Sequence, residues 1–219
     1  MTTEGHVDRP LPRFVAEERL VAVLRAPRPD ASAPVIARLV ESGIHCIELT
    51  LTSPDALREL PRLHEQFGDS ACLGMGTVTS EASARAAVDA GAEFLVTPVV
   101  VPAAIELGVT AGVPVLCGAL TPTEAHAAWS AGASAVKIFP ASAVRPSYLR
   151  ELRGPFPDLE AMPSGGIGVD DIAPWLTAGA CAVSLGGSLI GDIFTNASSD
   201  LEARVQRARS AVNEWRAAR

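Results

Sequence analysis

No stretch of this sequence comes near the roughly 18–20 consecutive apolar residues of a membrane-spanning helix. The opening residues, MTTEGHVDRPLPRF, lack the apolar core of a secretory signal. Membrane and secreted classes are set aside, and a cytoplasmic protein is expected. Basic charge is also scarce: the 219 residues carry a formal net charge of −7, the wrong sign for a surface that displaces counterions from nucleic acid. Only four cysteines occur, Cys46, Cys72, Cys117 and Cys181, widely spaced in or beside apolar segments and with no CxxC pair. They read as buried free thiols. His6, His45, His64 and His126 form no cluster with carboxylates at metal-ligand spacing, so no metal and no cofactor is expected. Linkers and low-complexity stretches are missing as well, which leaves one domain over 1–219 as the expectation.

What is present is a rhythm. Short β-rich apolar runs recur at LVAVLR (20–25), CIELTL (46–51), ACLGMGT (71–77), EFLVT (93–97), PVLCG (114–118), AVKIF (135–139), LEAMPS (159–164) and AVSLG (182–186). Between them lie Ala-rich segments of helical period that end at glycine, as in PVIARLVESG (34–43), EASARAAVDAGA (81–92), PTEAHAAWSAGA (122–133) and DDIAPWLTAGA (170–180). A strand begins about every 23 residues, enough for a strand, a helix and two tight turns. Eight such units predict a (β/α)₈ TIM barrel. An open doubly wound sheet, the alternative, leaves two of the runs without a place. A short lead-in over about 1–19 precedes the barrel, and an amphipathic helix over about 200–217 follows it.

Side chains of a barrel strand alternate between the lumen and the helices, so parity sorts them. In AVKIF, Val136 and Ile138 meet the helices while Lys137 points inward. In CIELTL, Glu48 is inward with Cys46 and Thr50. Arg25 follows Val21 and Val23 into the lumen, Thr77 follows Leu73 and Met75, and Thr97 follows Leu95. Five polar groups thus gather where barrel enzymes carry their active sites. A buried Lys137–Glu48 pair could be purely structural, but burying two charges costs several kcal/mol that an apolar lumen avoids. A lysine kept out of water loses its proton more readily, freeing an amine that forms a Schiff base with a ketone; a nearby carboxylate then moves the protons. Two glycine pairs, SGGIGVDD (164–171) and LGGSLIG (185–191), follow the seventh and eighth strands, where barrels often bind phosphate through backbone N–H groups; Ser188 adds a hydroxyl.

ELTLTSP (48–54), GMGTV (74–78), VTP (96–98), KIFPAS (137–142), SGGI (164–167) and LGGS (185–188) occur in the order and spacing of a known family. The chain resembles the class I aldolases that cleave 2-keto-3-deoxy-6-phosphogluconate, its galactonate epimer or 4-hydroxy-2-oxoglutarate. The likeness runs from about Leu20 to Leu189. It implies a homotrimer that cleaves a phosphorylated keto acid, the gluconate first and the galactonate second, to pyruvate and glyceraldehyde 3-phosphate. By the same resemblance Lys137 forms the Schiff base and Glu48 shuttles protons through a bound water. Arg25 and Thr77 hold the carboxylate end, while Phe139 and Pro98 pack on the pyruvyl part. Gly165, Gly166, Gly186, Gly187 and Ser188 hold the phosphate, with Ser164 beside them.

Three departures bear on the substrate. Gluconate-type enzymes usually carry an arginine where this chain has Thr52, and the galactonate branch, with a segment like E-I-P-L-N-S-P, lacks it too. Ser164 points the other way, since the gluconate branch keeps a hydroxyl before the GGI turn. Met75, where the family mostly has alanine, is expected to narrow the lumen near Thr77. Other readings stay open: an aldolase or decarboxylase acting on unphosphorylated 4-hydroxy-2-oxoglutarate or oxaloacetate, a divalent-metal aldolase or epimerase, and a non-catalytic phosphosugar-binding protein.

Overall fold

The computed structural model describes residues 10–196 and 200–219, so most of the expected lead-in lies outside the described residues. A short helix α1 (Val15–Glu18) opens the fold, followed by β1 (Leu20–Leu24), α2 (Ser32–Ser42), β2 (Cys46–Thr50), α3 (Ala56–Phe67), β3 (Cys72–Gly76), α4 (Glu81–Asp89), β4 (Leu95–Val96) and α5 (Pro102–Ala111). The second half repeats the rhythm with β5 (Val115–Ala119), α6 (Pro122–Ser130), β6 (Ala135–Ile138), α7 (Pro146–Arg153), β7 (Ala161–Pro163), α8 (Ile172–Thr177), β8 (Val183–Leu185), α9 (Gly187–Ile190) and α10 (Leu201–Ala217). All eight strands are parallel, in the order β7-β6-β5-β4-β3-β2-β1-β8. Cys181 N–H donates to Ala161 O at 2.8 Å and Ser164 bridges Ser184, which join the outer strands and close a single-domain (β/α)₈ barrel.

Local chemistry sets the element boundaries. Thr121 caps α6 by accepting from Glu124 N–H while the Glu124 carboxylate returns to the Thr121 backbone, and Pro122 occupies the first turn where its missing N–H costs nothing. The helices stop at glycines that adopt a left-handed backbone, φ 90° at Gly43 and 100° at Gly132, which turns the chain straight into the next strand.

Burial divides into two layers. Val136 and Ile138 on β6 and Ile47 and Leu49 on β2 pack against the helices, whereas Val21, Cys46, Cys72, Phe94, Val96, Leu116, Ala135 and Met162 fill the lumen. Val15 of α1, with Leu11 and Phe14 beside it, packs onto the same lumen cluster and plugs one end of the barrel.

Parity holds for β1, β2 and β6 but is reversed for β3 and β4. Leu73, Met75 and Leu95 belong to the helix-facing layer, so Met75 does not narrow the lumen. Inward positions on β3 are Gly74, whose missing side chain is replaced by the Phe94 ring, and Gly76, whose space the Glu48 carboxylate takes. A strand buried on both faces offers no polar residue to mark its inner side when that side is glycine. Thr97 is correspondingly not part of the cluster: its hydroxyl donates to Val99 O at 2.6 Å and accepts from Gly118 N–H at 3.0 Å, anchoring the loop after β4.

That loop dips so close to β5 that a Cβ on Gly118 would lie 2.7 Å from Thr97 O and overlap the Pro98 backbone. Backbone has no flexible end that can swing aside. Gly118→Ala is therefore expected to lose about 1–3 kcal/mol of stability, the usual cost of overpacking, and to lower the urea midpoint followed by circular dichroism. An unchanged midpoint contradicts this packing.

Candidate active site

Lys137 sits third on β6 with Val136 and Ile138 turned to the helices, so its side chain has only the lumen to enter. Glu48 takes the corresponding inward place on β2. Their side chains are 7% and 2% exposed, and Lys137 Nζ lies 3.8 Å from Glu48 Oε1, an ion contact too long for a hydrogen bond. Glu48 Oε2 is buried and has no hydrogen-bond partner among the described residues. A carboxylate oxygen left unpaired in a dry site is costly, and it is free to accept a proton or a water. Burial pushes the Glu48 carboxyl above its ordinary value, while the charges of Lys137 and Arg25 pull it part of the way back. Gly76 makes this arrangement possible, because any side chain there would occupy the carboxylate's place. The amine also lies 5.1 Å from the centroid of the Phe139 ring, close enough for a cation–π contact.

These groups line one cavity of about 650 Å³ at the end of the barrel where the strands finish. It is bounded by Arg25, Glu48, Thr77, Pro98, Lys137, Phe139 and Ser164, and by Gly165, Gly166, Gly186, Gly187 and Ser188. The structure brings together all twelve residues singled out in the sequence, and adds Val23, Ile167 and Gly168. Among the described residues, Glu48 is the one carboxylate lining the cavity and Arg25 and Lys137 are its two cations.

Each wall has its own construction. Gly165 adopts φ 88°, and a Cβ there would lie 2.7 Å from the Phe139 ring, so only glycine lets the β7 loop close over that ring. Ser164 Oγ donates to Ser184 Oγ at 3.3 Å within the lumen. On the β8 side, a Cβ on Gly187 would meet nothing, so the backbone there is open to a ligand, and the first turn of α9 offers the N–H groups of Gly187 and Ser188. Ser188 Oγ donates to Ile167 O at 2.8 Å and ties the two glycine loops together. Thr77 reaches the cavity for a reason that parity misses. Gly76 already points inward, and Thr77 follows it in because its backbone turns left-handed at φ 63°, a conformation that β-branched residues rarely adopt.

Two features passed unnoticed in the sequence. Lys137 is the chain's single lysine, against 17 arginines, a signal that a count of residue types alone reveals. Thr52, which the sequence marks only by the absence of an arginine, has a hydroxyl that accepts from Arg25 Nε at 3.0 Å. Among the described residues, no group of three or more His, Cys, Asp or Glu side chains is placed to hold a metal ion, and no helix is long and apolar enough to cross a membrane.

Residues 12–207 match the aldolase family described as KDPG and KHG aldolase, where the abbreviations stand for 2-keto-3-deoxy-6-phosphogluconate and 4-hydroxy-2-oxoglutarate. The chain is 36% identical over 201 residues to a probable 2-dehydro-3-deoxy-6-phosphogalactonate aldolase of Rhizobium meliloti, covering 89% of this chain and 94% of that one. It is 32% identical over 200 residues to the 2-dehydro-3-deoxy-6-phosphogalactonate aldolase of Escherichia coli, covering 91% and 95%. Among solved structures, one described as native KDPGal superposes with a TM-score of 0.80 at 31% identity, covering 97% of this chain and 98% of that one.

Two outcomes are expected from this geometry. Removing the Arg25 charge in Arg25→Met takes away one of the two cations that favour ionised Glu48, so the Glu48 carboxyl titrates at higher pH than in the wild type. Infrared difference spectra against Glu48→Gln read that titration, and an unmoved one contradicts the coupling. Thr77→Gly relieves a strained backbone worth about 1–3 kcal/mol. Its thermal midpoint is expected to match or exceed that of the wild type despite the lost side chain; a clear drop means the conformation is unstrained.

Proposed function

Because the chain belongs to the KDPG and KHG aldolase family, we propose that it is a Schiff-base aldolase cleaving a 2-keto-3-deoxy-6-phospho sugar acid to pyruvate and glyceraldehyde 3-phosphate. The observation that carries this reading is the Lys137–Glu48 pair, an amine and a half-paired carboxylate facing one another in a dry lumen. The amine adds to the C2 ketone and the carbinolamine loses water to give an iminium. Glu48 takes the proton of the C4 hydroxyl as the C3–C4 bond breaks, the bonding electrons move into the iminium, and the aldehyde leaves. Returning that proton to C3 of the enamine and hydrolysing the imine releases pyruvate and restores both residues.

The remaining lining follows from the shape of such a substrate. Arg25 and Thr77 take the carboxylate, Phe139 and Pro98 flank the pyruvyl carbons, and the Gly165–Gly166 and Gly186–Gly187 loops with Ser188 take the phosphate. Ser164, which directly precedes the Gly165–Gly166 turn and lines the same cavity, completes the substrate contacts. The galactonate-type names of the two relatives and the threonine in place of an arginine at position 52 favour the galactonate epimer, whereas the Ser164 hydroxyl favours the gluconate. We take the galactonate compound as the preferred substrate and the gluconate as the slower one. A homotrimer, as the sequence resemblance implies, completes the reading.

Borohydride added with pyruvate is expected to fix one pyruvyl unit per chain, found by peptide mass spectrometry on Lys137; with a single lysine in the chain, only the N-terminal amine competes for assignment. A wild-type protein that shows no adduct overturns the proposal. Unphosphorylated 4-hydroxy-2-oxoglutarate serves as the comparison. Two charge-assisted hydrogen bonds to phosphate, each about 1.5–3 kcal/mol, favour the phosphorylated sugar acid by about 100-fold or more in kcat/KM. Equal values remove the phosphate from the reading.

A further inference from the structure

Arg25 follows the last residue of β1 and stands exposed at the cavity mouth, where a long side chain of this kind has many rotamers open to it. One contact selects among them: Arg25 Nε donates to Thr52 Oγ1 at 3.0 Å. An arginine only donates, so the Thr52 oxygen is the acceptor there, and its own proton goes to Thr50 Oγ1 at 3.1 Å. Thr50 Oγ1 in turn lies 3.2 Å from Ser53 Oγ, and Ser53 N–H closes the turn onto Thr50 O at 2.9 Å. Thr50 is fully buried and Ser53 nearly so. The result is a row of hydroxyls from Ser53 through Thr50 to Thr52, rooted in the end of β2 two residues beyond Glu48 and ending on the guanidinium.

We propose that Thr52 is a positioning residue for the carboxylate end of the substrate, its hydroxyl holding Arg25 by Nε so that the Nη1 and Nη2 groups are left to meet the carboxylate as a fork. This rests on the reading of Arg25 as the carboxylate's partner. A planar guanidinium binds a carboxylate through two parallel N–H groups, and using Nε for the protein leaves the terminal pair for the ligand. Thr52 is stiff about χ1 because it is β-branched, and Thr50 occupies its proton, so the anchor is set before the substrate arrives. Binding then does not have to order the arginine. A neutral hydroxyl thus aims the guanidinium that supplies the charge.

The test is a double-mutant cycle on cleavage of the phosphorylated sugar acid. Thr52→Val keeps the shape and removes the hydroxyl; KM is expected to rise about 3- to 10-fold, the worth of one hydrogen bond, with kcat changed less than about twofold. Thr52→Ser restores the wild-type KM. In an Arg25→Met background the valine adds nothing further, because the residue through which Thr52 acts is gone. A Thr52→Val penalty that persists at full size in Arg25→Met, or that appears in kcat with KM unmoved, overturns the inference in favour of a structural role. An unmoved KM in Thr52→Val overturns it too, with the aldolase reading intact. A wild type that cleaves neither epimer overturns the aldolase reading and the inference together.

Discussion

A lysine and a glutamate held out of water, 3.8 Å apart, are the constraint around which this barrel is arranged. Each buried ion costs several kcal/mol, and their mutual attraction returns only part of it. The surrounding layers supply the rest: β-strands whose outer faces are packed against helices by Leu, Ile and Val, and a lumen filled below the pair by Phe94, Leu116 and Met162. Small residues are placed where the pair needs room. Gly76 yields its side-chain volume to the Glu48 carboxylate, and Gly118, directly in register with Lys137, yields its own to the backbone of Pro98. A side chain at Gly76 would displace the carboxylate itself, and one at Gly118 would push away the backbone that carries Pro98 to the cavity.

Above the pair, polarity is distributed by element. β1 and β2 bring the cation Arg25 and the hydroxyls that hold it, β3 brings a threonine turned inward by a left-handed backbone, and the loops after β7 and β8 bring open backbone. The cavity lining is therefore of two kinds, charged and hydroxyl side chains from β1, β2, β3 and β6 and open backbone from the loops after β7 and β8.

Much of this was legible in the chain before folding. Eight β-rich runs with helical segments between them leave few architectures, and on β1, β2 and β6 a polar residue among apolar ones marked the inner face directly. β3 and β4 depart from the expected parity for a physical reason. Their inner faces are Gly74, Gly76, Phe94 and Val96, so nothing polar distinguishes the lumen from the helix layer, and the sequence pattern of Leu73, Met75, Leu95 and Thr97 mimics an inner face. Met75 thus packs against helices, and Thr97 secures a loop. Thr77 reached the site through its φ angle, for which a threonine in a sequence gives no warning. Thr52 was invisible as a support because the meaning of a hydroxyl depends on which donor stands 3.0 Å away.

The central claim is that the Lys137–Glu48 pair performs imine and enamine chemistry on a 2-keto acid. Proton exchange at the methyl group of pyruvate in deuterated water, followed by NMR, tests it most directly, because enamine formation is reversible and needs no aldehyde partner. The account predicts rapid loss of the methyl signal with the wild type, strong slowing in Glu48→Gln and no enzyme-dependent exchange in Lys137→Met. A wild type that leaves the methyl protons in place, or a Lys137→Met variant that still exchanges them, contradicts it.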